Sequence, residues 1–120
     1  MIRSYKDLEV YKLSYKLAME IFSFTGKFPK EETYSLTSQI RNSSRSIVAN
    51  IAEGWAKRRY ENVFKRHLID AIGSCEETIV WIDLSKDCKY ISDSEHERLV
   101  QNYKELSKML NGLLHKWHTF

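Results

Sequence analysis

The chain predicts an all-α fold, an antiparallel up-down-up-down four-helix bundle, and three observations predict it. Apolar residues recur at spacings of three and four, most regularly at Leu99, Tyr103, Leu106, Leu110, Leu113 and Trp117. No segment alternates apolar and polar residues with the period of two that a half-buried strand requires. One proline and four glycines in 120 residues leave room for long uninterrupted helices. Short connections between them make sequential helices antiparallel neighbours.

The first helix is expected from Ser4 or Tyr5 to Phe24. It carries two apolar stripes, Leu8-Tyr11-Tyr15-Ala18-Phe22 and Val10-Leu13-Leu17-Ile21-Phe24, a wider face than one amphipathic helix needs. Gly26 and Pro29 end it. The second is expected to start between Lys30 and Tyr34 and to run past Gly54 toward Arg58. Its interior is rich in Ser, Ala and Gly, and Gly54 costs about 1 kcal/mol against alanine there, which points to close packing or a bend. The third covers Glu61 to Lys86, with Phe64, Leu68, Ala71 or Ile72, Cys75, Ile79 and Ile82 inward and a small patch at Gly73-Ser74-Cys75 placed to meet the second. The last begins after Ser92-Asp93-Ser94, where Ser92 with Glu95, or Ser94 with Glu97, has capping-box spacing.

The chain reads as one domain over residues 1–120, large enough to build a core without metal or disulfide. Its start builds no apolar leader, and no run approaches the roughly 20 apolar residues that span a bilayer, so a cytoplasmic protein with no membrane partner is expected. Cys75 falls on an apolar stripe and Cys88 near a helix end, a pattern that argues against a redox pair. The net charge of +3 permits polyanion binding without requiring it.

Within the second helix, Gln39, Ser43, Ser46, Asn50 and Glu53 form a polar ribbon beside the apolar stripe. Uncharged hydrogen-bonding groups in that position predict close helix packing, or an interface, through a polar network. The expectation is that Gln39, Ser43, Ser46 and Asn50 satisfy one another while Glu53 accepts from an arginine. Trp55, Tyr60, Trp81, Trp117 and Phe120 exceed what one bundle core holds, which predicts self-association.

Phe28-Pro29, Tyr34-Ser35-Leu36-Thr37, Gln39-Ile40-Arg41, Ser46-Ile47, Asn50-Ile51-Ala52-Glu53-Gly54, Gly73-Ser74 with Glu77, and Met109-Leu110 together resemble a known family. It is the bacterial four-helix-bundle proteins first noticed as reading frames within intervening sequences of 23S ribosomal RNA. The resemblance covers nearly the whole chain. It departs at Tyr11, Val48 and Asn42, where the family often has tryptophan, proline and a basic residue. The resemblance implies a homopentamer of bundles. A similar protein, the accessory variability determinant of diversity-generating retroelements, forms such a pentamer and binds nucleic acid and a reverse transcriptase.

No Glu-x-x-His pair provides a di-iron site. His96-Glu97 has Val100 where a zinc-protease motif needs its second histidine, and His115 with His118 lacks a third ligand. No cofactor or metal is expected, and no catalytic residue. The remaining candidate is the basic cluster Lys57, Arg58, Arg59, Lys65 and Arg66, interleaved with Tyr60, Phe64 and His67. Such cations neutralise phosphates, and an aromatic ring stacks on an unpaired base. The competing reading is a solvated bundle end whose charges pair with glutamates such as Glu61. Arg41 and Arg45 either extend the cluster or pair with a neighbouring subunit. Two functions follow: a non-enzymatic oligomeric scaffold that binds structured RNA or DNA, with or without a protein partner, or a protein-binding or self-assembling module with no nucleic-acid role.

Overall fold

The computed structural model describes residues 1–117. Its four helices are α1 (Glu9–Thr25), α2 (Leu36–Ala56), α3 (Glu61–Asp87) and α4 (Asp93–Lys116). The α2–α3 contact is the most extensive, followed by α3–α4 and α1–α2, while α1 meets α4 more lightly. Among the described residues the diagonal pairs α1–α3 and α2–α4 bring no Cα atoms within 8 Å of each other. That ring of neighbours is the up-down-up-down topology expected from short connections.

Side-chain caps set the helix ends and move two of them from the expected positions. Asp7 Oδ2 accepts the backbone N–H of Arg3 at 2.7 Å and of Ser4 at 3.2 Å, closing a separate 3-10 turn at Tyr5–Asp7. Leu8 is extended (ψ 133°), so α1 begins at Glu9 and not at Ser4 or Tyr5. At the next boundary Glu32 Oε1 accepts from Ser35 Oγ at 2.6 Å and from the Leu36 N–H at 3.3 Å. The 3-10 turn Lys30–Glu32 therefore stays apart from α2, which starts at Leu36 and ends at Ala56. At α4 the Ser92–Glu95 capping box forms: Ser92 Oγ accepts the Glu95 N–H at 3.1 Å, and Glu95 Oε1 accepts the Ser92 N–H at 2.8 Å.

The core is built from Leu17 and Ile21 of α1, Ile40, Ile47 and Ile51 of α2, Phe64, Leu68 and Ile82 of α3, and Leu99, Tyr103, Leu106 and Leu110 of α4. Of the two α1 stripes, the one through Val10, Leu17 and Ile21 enters this core. The other leaves Tyr15 53% and Phe22 48% exposed. At one end of the bundle Trp55, Phe64 and Trp117 meet edge to face, with ring centroids 4.7–6.3 Å apart. Trp55, Trp81 and Trp117 pack partly buried against the core, while Tyr60 stays exposed and Phe120 lies outside the described residues.

Arg41 ties α1 to α2. Its Nε donates to Thr25 Oγ1 at 2.7 Å, Thr25 in turn donates to the Ile21 carbonyl at 2.7 Å, and the guanidinium lies 4.7 Å from the Phe22 ring centroid. A cation at the C-terminal turn of α1 also meets the negative end of its dipole. Arg41 is thereby engaged within its own chain and does not extend the basic cluster.

Candidate functional site

Ser43, Ser46 and Asn50, the middle of the polar ribbon of α2, bond across to α3. Thr78 Oγ1 lies 2.8 Å from Ser43 Oγ, and Ser74 Oγ donates to Ser46 Oγ at 3.1 Å. Asn50 Nδ2 donates to the Ser46 carbonyl at 3.0 Å, which fixes the amide so that Oδ1 points at His67 Nδ1, 3.0 Å away. A carbonyl oxygen only accepts, so His67 Nδ1 carries the proton. Nε2 is then left to accept from Lys57 Nζ at 3.3 Å. The chain of bonds runs from solvent at Lys57 through His67 and Asn50 to Ser46 and Ser74 inside the bundle.

Small side chains make this seam possible. Ser43 and Ser44 are buried, and their hydroxyls also reach back to carbonyls of their own helix. Gly54 sits where α2 and α3 come closest: a Cβ there would stand 2.8 Å from His67 Cβ and 3.2 Å from Phe64 Cδ1. The network differs from the one expected in its partners. Ser43 and Ser46 are satisfied largely by α3, and only Asn50–Ser46 is a bond within the ribbon. Gln39 is exposed and does not join the network. Glu53 is also exposed and stands 4.0 Å from Lys57, not beside an arginine. The Ser74 and Thr78 contributions are visible in the sequence only as a pair with helical spacing, matching that of Ser43 and Ser46.

The basic cluster divides into engaged and available groups. The Arg58 guanidinium lies 4.3 Å from the Trp55 ring centroid and donates to the Trp55 carbonyl at 2.9 Å. Lys65 pairs with Glu61 at 3.8 Å, both side chains about one-third exposed, which is the pairing that the solvated-end reading expects. Lys57 shares its ammonium between His67 and Glu53. Arg59 and Arg66 are exposed, and among the described residues no hydrogen bond or ion pair holds either. Tyr60, 65% exposed, lies beside Arg59 in the α2–α3 turn. Five cations close in sequence therefore amount to two unengaged arginines and one shared lysine at this end of the bundle.

A third feature lies elsewhere. Tyr11, Tyr15, Met19 and Phe22 of α1 and Val48, Ala49 and Ala52 of α2 line an open apolar groove of about 530 Å³, with Arg45 as its charged member. Among the described residues no three His, Cys, Asp or Glu side chains gather as a metal site requires. His115 is exposed, and His118 lies outside the described residues. Cys75 is buried, which pushes its thiol up to about 12, and Cys88 is exposed. Among the described residues no helix is long and apolar enough to cross a membrane.

Residues 6–112 match the family described as the 23S rRNA-intervening sequence protein. The chain belongs to that family. A solved structure from Bacteroides thetaiotaomicron, described as a protein with unknown function from the S23 ribosomal protein family, superposes with a TM-score of 0.81 at 25% identity. The alignment covers 89% of this chain and 96% of that one. No curated protein matches the chain. The family segment Asn50-Ile51-Ala52-Glu53-Gly54 acquires a physical meaning from the seam. Asn50 links Ser46 to His67, Ile51 fills the core, Ala52 lines the groove, and Gly54 allows the closest approach to α3.

Proposed function

We propose that this member of the 23S rRNA-intervening sequence protein family is a non-enzymatic, self-associating scaffold whose α2–α3 end engages nucleic acid. The observation that carries the binding role is that Arg59 and Tyr60 of the α2–α3 turn and Arg66 of the first turns of α3 are exposed at the end of the bundle that also carries Lys57. Unengaged guanidinium groups contact phosphate oxygens without first giving up an internal partner, and an exposed phenol ring offers a face to an unpaired base. Repetition of the patch around a homo-oligomer, a pentamer by family resemblance, multiplies weak phosphate contacts into useful avidity. The hydroxyls of the seam are held by one another and by Asn50, with neither imidazole nor carboxylate bonded to them, which supports a binding role over a catalytic one.

Titration of labelled hairpin and single-stranded RNA over a salt series tests this. The logarithm of the affinity should fall linearly with log salt, by roughly 0.7–0.9 log units per phosphate contacted for each tenfold rise in salt. Combined Lys57→Ala, Arg59→Ala and Arg66→Ala changes should shallow that slope and reduce affinity. Absence of binding at low salt, or a slope untouched by the triple change, removes the nucleic-acid role. The second reading, self-assembly with no nucleic-acid role, is favoured by the open apolar groove of about 530 Å³ between α1 and α2.

A further inference from the structure

We propose that His67 and Lys57 form a proton-dependent oxyanion site at the α2–α3 end of the bundle. His67 is neutral while the site is empty and takes up a proton when an oxyanion settles between its Nε2 and Lys57 Nζ. The nucleic-acid form of this site, with a backbone phosphate as the oxyanion, rests on the binding role proposed above.

The imidazole is anchored at two points, and one edge of it is left to change. His67 Cβ packs so tightly on Gly54 that a Cβ on the glycine would lie 2.8 Å from it. His67 Nδ1–H donates to Asn50 Oδ1 at 3.0 Å, and the Asn50 amide is itself fixed by the Ser46 carbonyl and hydroxyl. That anchor survives in both charge states, because Nδ1 carries a proton in each. Nε2 does not behave alike in the two. Neutral, it accepts from Lys57 Nζ at 3.3 Å; protonated, it donates. An imidazolium N–H then faces an ammonium, two donors of like charge with no acceptor between them. An oxyanion supplies the acceptor and the opposite charge, taking one charge-assisted hydrogen bond from each. Lys57, exposed at the end of α2 on a flexible stem, is the partner that adjusts, while half-buried His67 stays in place.

The elements packed against α3 are α2 and α4, and their charges bear on the site unequally. On α2, Glu53 stands 4.0 Å from Lys57 with its side chain 60% exposed, a loose surface contact that a better-placed anion displaces. On α3 itself, Arg66 precedes His67 and Asp70 follows it by three residues, both exposed, while Glu61 pairs with Lys65. α4 borders α3 beside Lys65, Arg66 and Ile69, where Leu114 lines a pocket with them, and its His115 and Lys116 are exposed. Arg59 in the α2–α3 turn and Arg66 add attraction for an anion, and Asp70 works against it. Histidine is the ordinary side chain that changes charge between about pH 5 and 8, so the site responds to protons in that interval.

NMR titration of the imidazole signals over about pH 5 to 8 tests the site, first in chloride, then with sulfate, then with a hairpin RNA. Neither sulfate nor a phosphodiester changes its own charge in that interval. Sulfate at ten times its dissociation constant should raise the His67 midpoint by about one pH unit, the mass action of a ligand held by the protonated form alone. His96, bonded to Asp83 near the far end of α3, should stay in place and serves as the reference. Lys57→Met, a change at an exposed position, should reduce the His67 shift to that of His96. Hairpin RNA should move His67 in the same direction and lose up to about tenfold in affinity per pH unit above the midpoint, the limit for one proton taken up. A His67 midpoint unmoved by both probes, moved equally with His96, or still shifted in Lys57→Met overturns the site. RNA that binds while only sulfate moves His67 leaves the nucleic-acid role standing and overturns the nucleic-acid form of the site. RNA that fails to bind while sulfate moves His67 removes the nucleic-acid role and supports a site for a free oxyanion.

Discussion

Gly54 of α2 stands so close to His67 of α3 that a Cβ on the glycine would lie 2.8 Å from the histidine Cβ. Both atoms are fixed to backbone, so neither swings away, and the buried Phe64 ring closes the other side at 3.2 Å. Gly54→Ala should therefore destabilise the fold by about 1–3 kcal/mol, the cost of overpacking, even though alanine is the better helix former. Gly73→Ala, on the same pair of helices but facing open space, should instead stabilise the isolated chain by about 1 kcal/mol. Urea unfolding of the two variants at a concentration where the protein is monomeric checks both signs at once.

Thr78 and Ser43, both buried, meet at 2.8 Å across the seam. Removing one partner of a buried hydrogen bond costs more than removing both, because the survivor keeps its desolvation penalty. Thr78→Val should cost about 1 kcal/mol in the wild-type background and less when Ser43 is already alanine. A four-variant thermodynamic cycle from denaturant melts measures that coupling. Equal costs in both backgrounds would mean the contact contributes nothing.

The seam shows where sequence stops being informative. Helical spacing places Ser43, Ser46 and Asn50 on one side of α2, and that much is legible. Their partners Ser74, Thr78 and His67 lie 17–35 residues away, and no local pattern fixes the register in which α3 slides past α2. The bundle itself is legible because burial repeats along every helix. The Ser92–Glu95 cap is legible because its spacing is short. Tyr5–Asp7 and Lys30–Glu32 read as helix because a 3-10 turn with a carboxylate cap has helical composition but a different bond pattern. Engagement of Arg41 by Thr25 needed tertiary geometry, Arg58 meets Trp55 through a local contact three residues back, and charge counting alone overstated the cluster.

Tyr103 is wholly buried, and its hydroxyl finds no hydrogen-bond partner among the described residues. Burial also pushes the phenol well above its ordinary range, so it stays neutral. An unpaired buried hydroxyl costs roughly 1–3 kcal/mol, while the ring fills core space that phenylalanine fills equally well. Tyr103→Phe should therefore leave the fold as stable or raise its Tm, whereas Tyr103→Leu should lower it by opening a cavity. A thermal melt of the pair separates the hydroxyl from the ring.

Carboxylate caps and buried phenols set how stability varies with pH. Glu32 is held below the usual carboxylate range, first by the Ser35 hydroxyl and then by Tyr90. The Ser92 N–H does the same for Glu95, and the Arg3 and Ser4 N–H groups for Asp7. Each of these groups binds its proton more weakly in the folded chain than in the unfolded one. Stability is therefore fully present above the ordinary carboxylate range and is lost as pH falls toward the lowered folded values. Tyr90 behaves oppositely, because its bond to Glu32 at 2.8 Å pushes its phenol up to about 12 from the ordinary 10.0. That contribution is present below the ordinary tyrosine value and fades as pH rises through the shifted one. Tyr90→Phe should lower Tm at neutral pH and flatten the alkaline limb while leaving the Glu95 and Asp7 part of the acid limb intact. Melting curves collected across the pH range for the wild type and Tyr90→Phe check this, and an unchanged alkaline limb would place its origin away from Tyr90, at the other raised phenols Tyr11 and Tyr103.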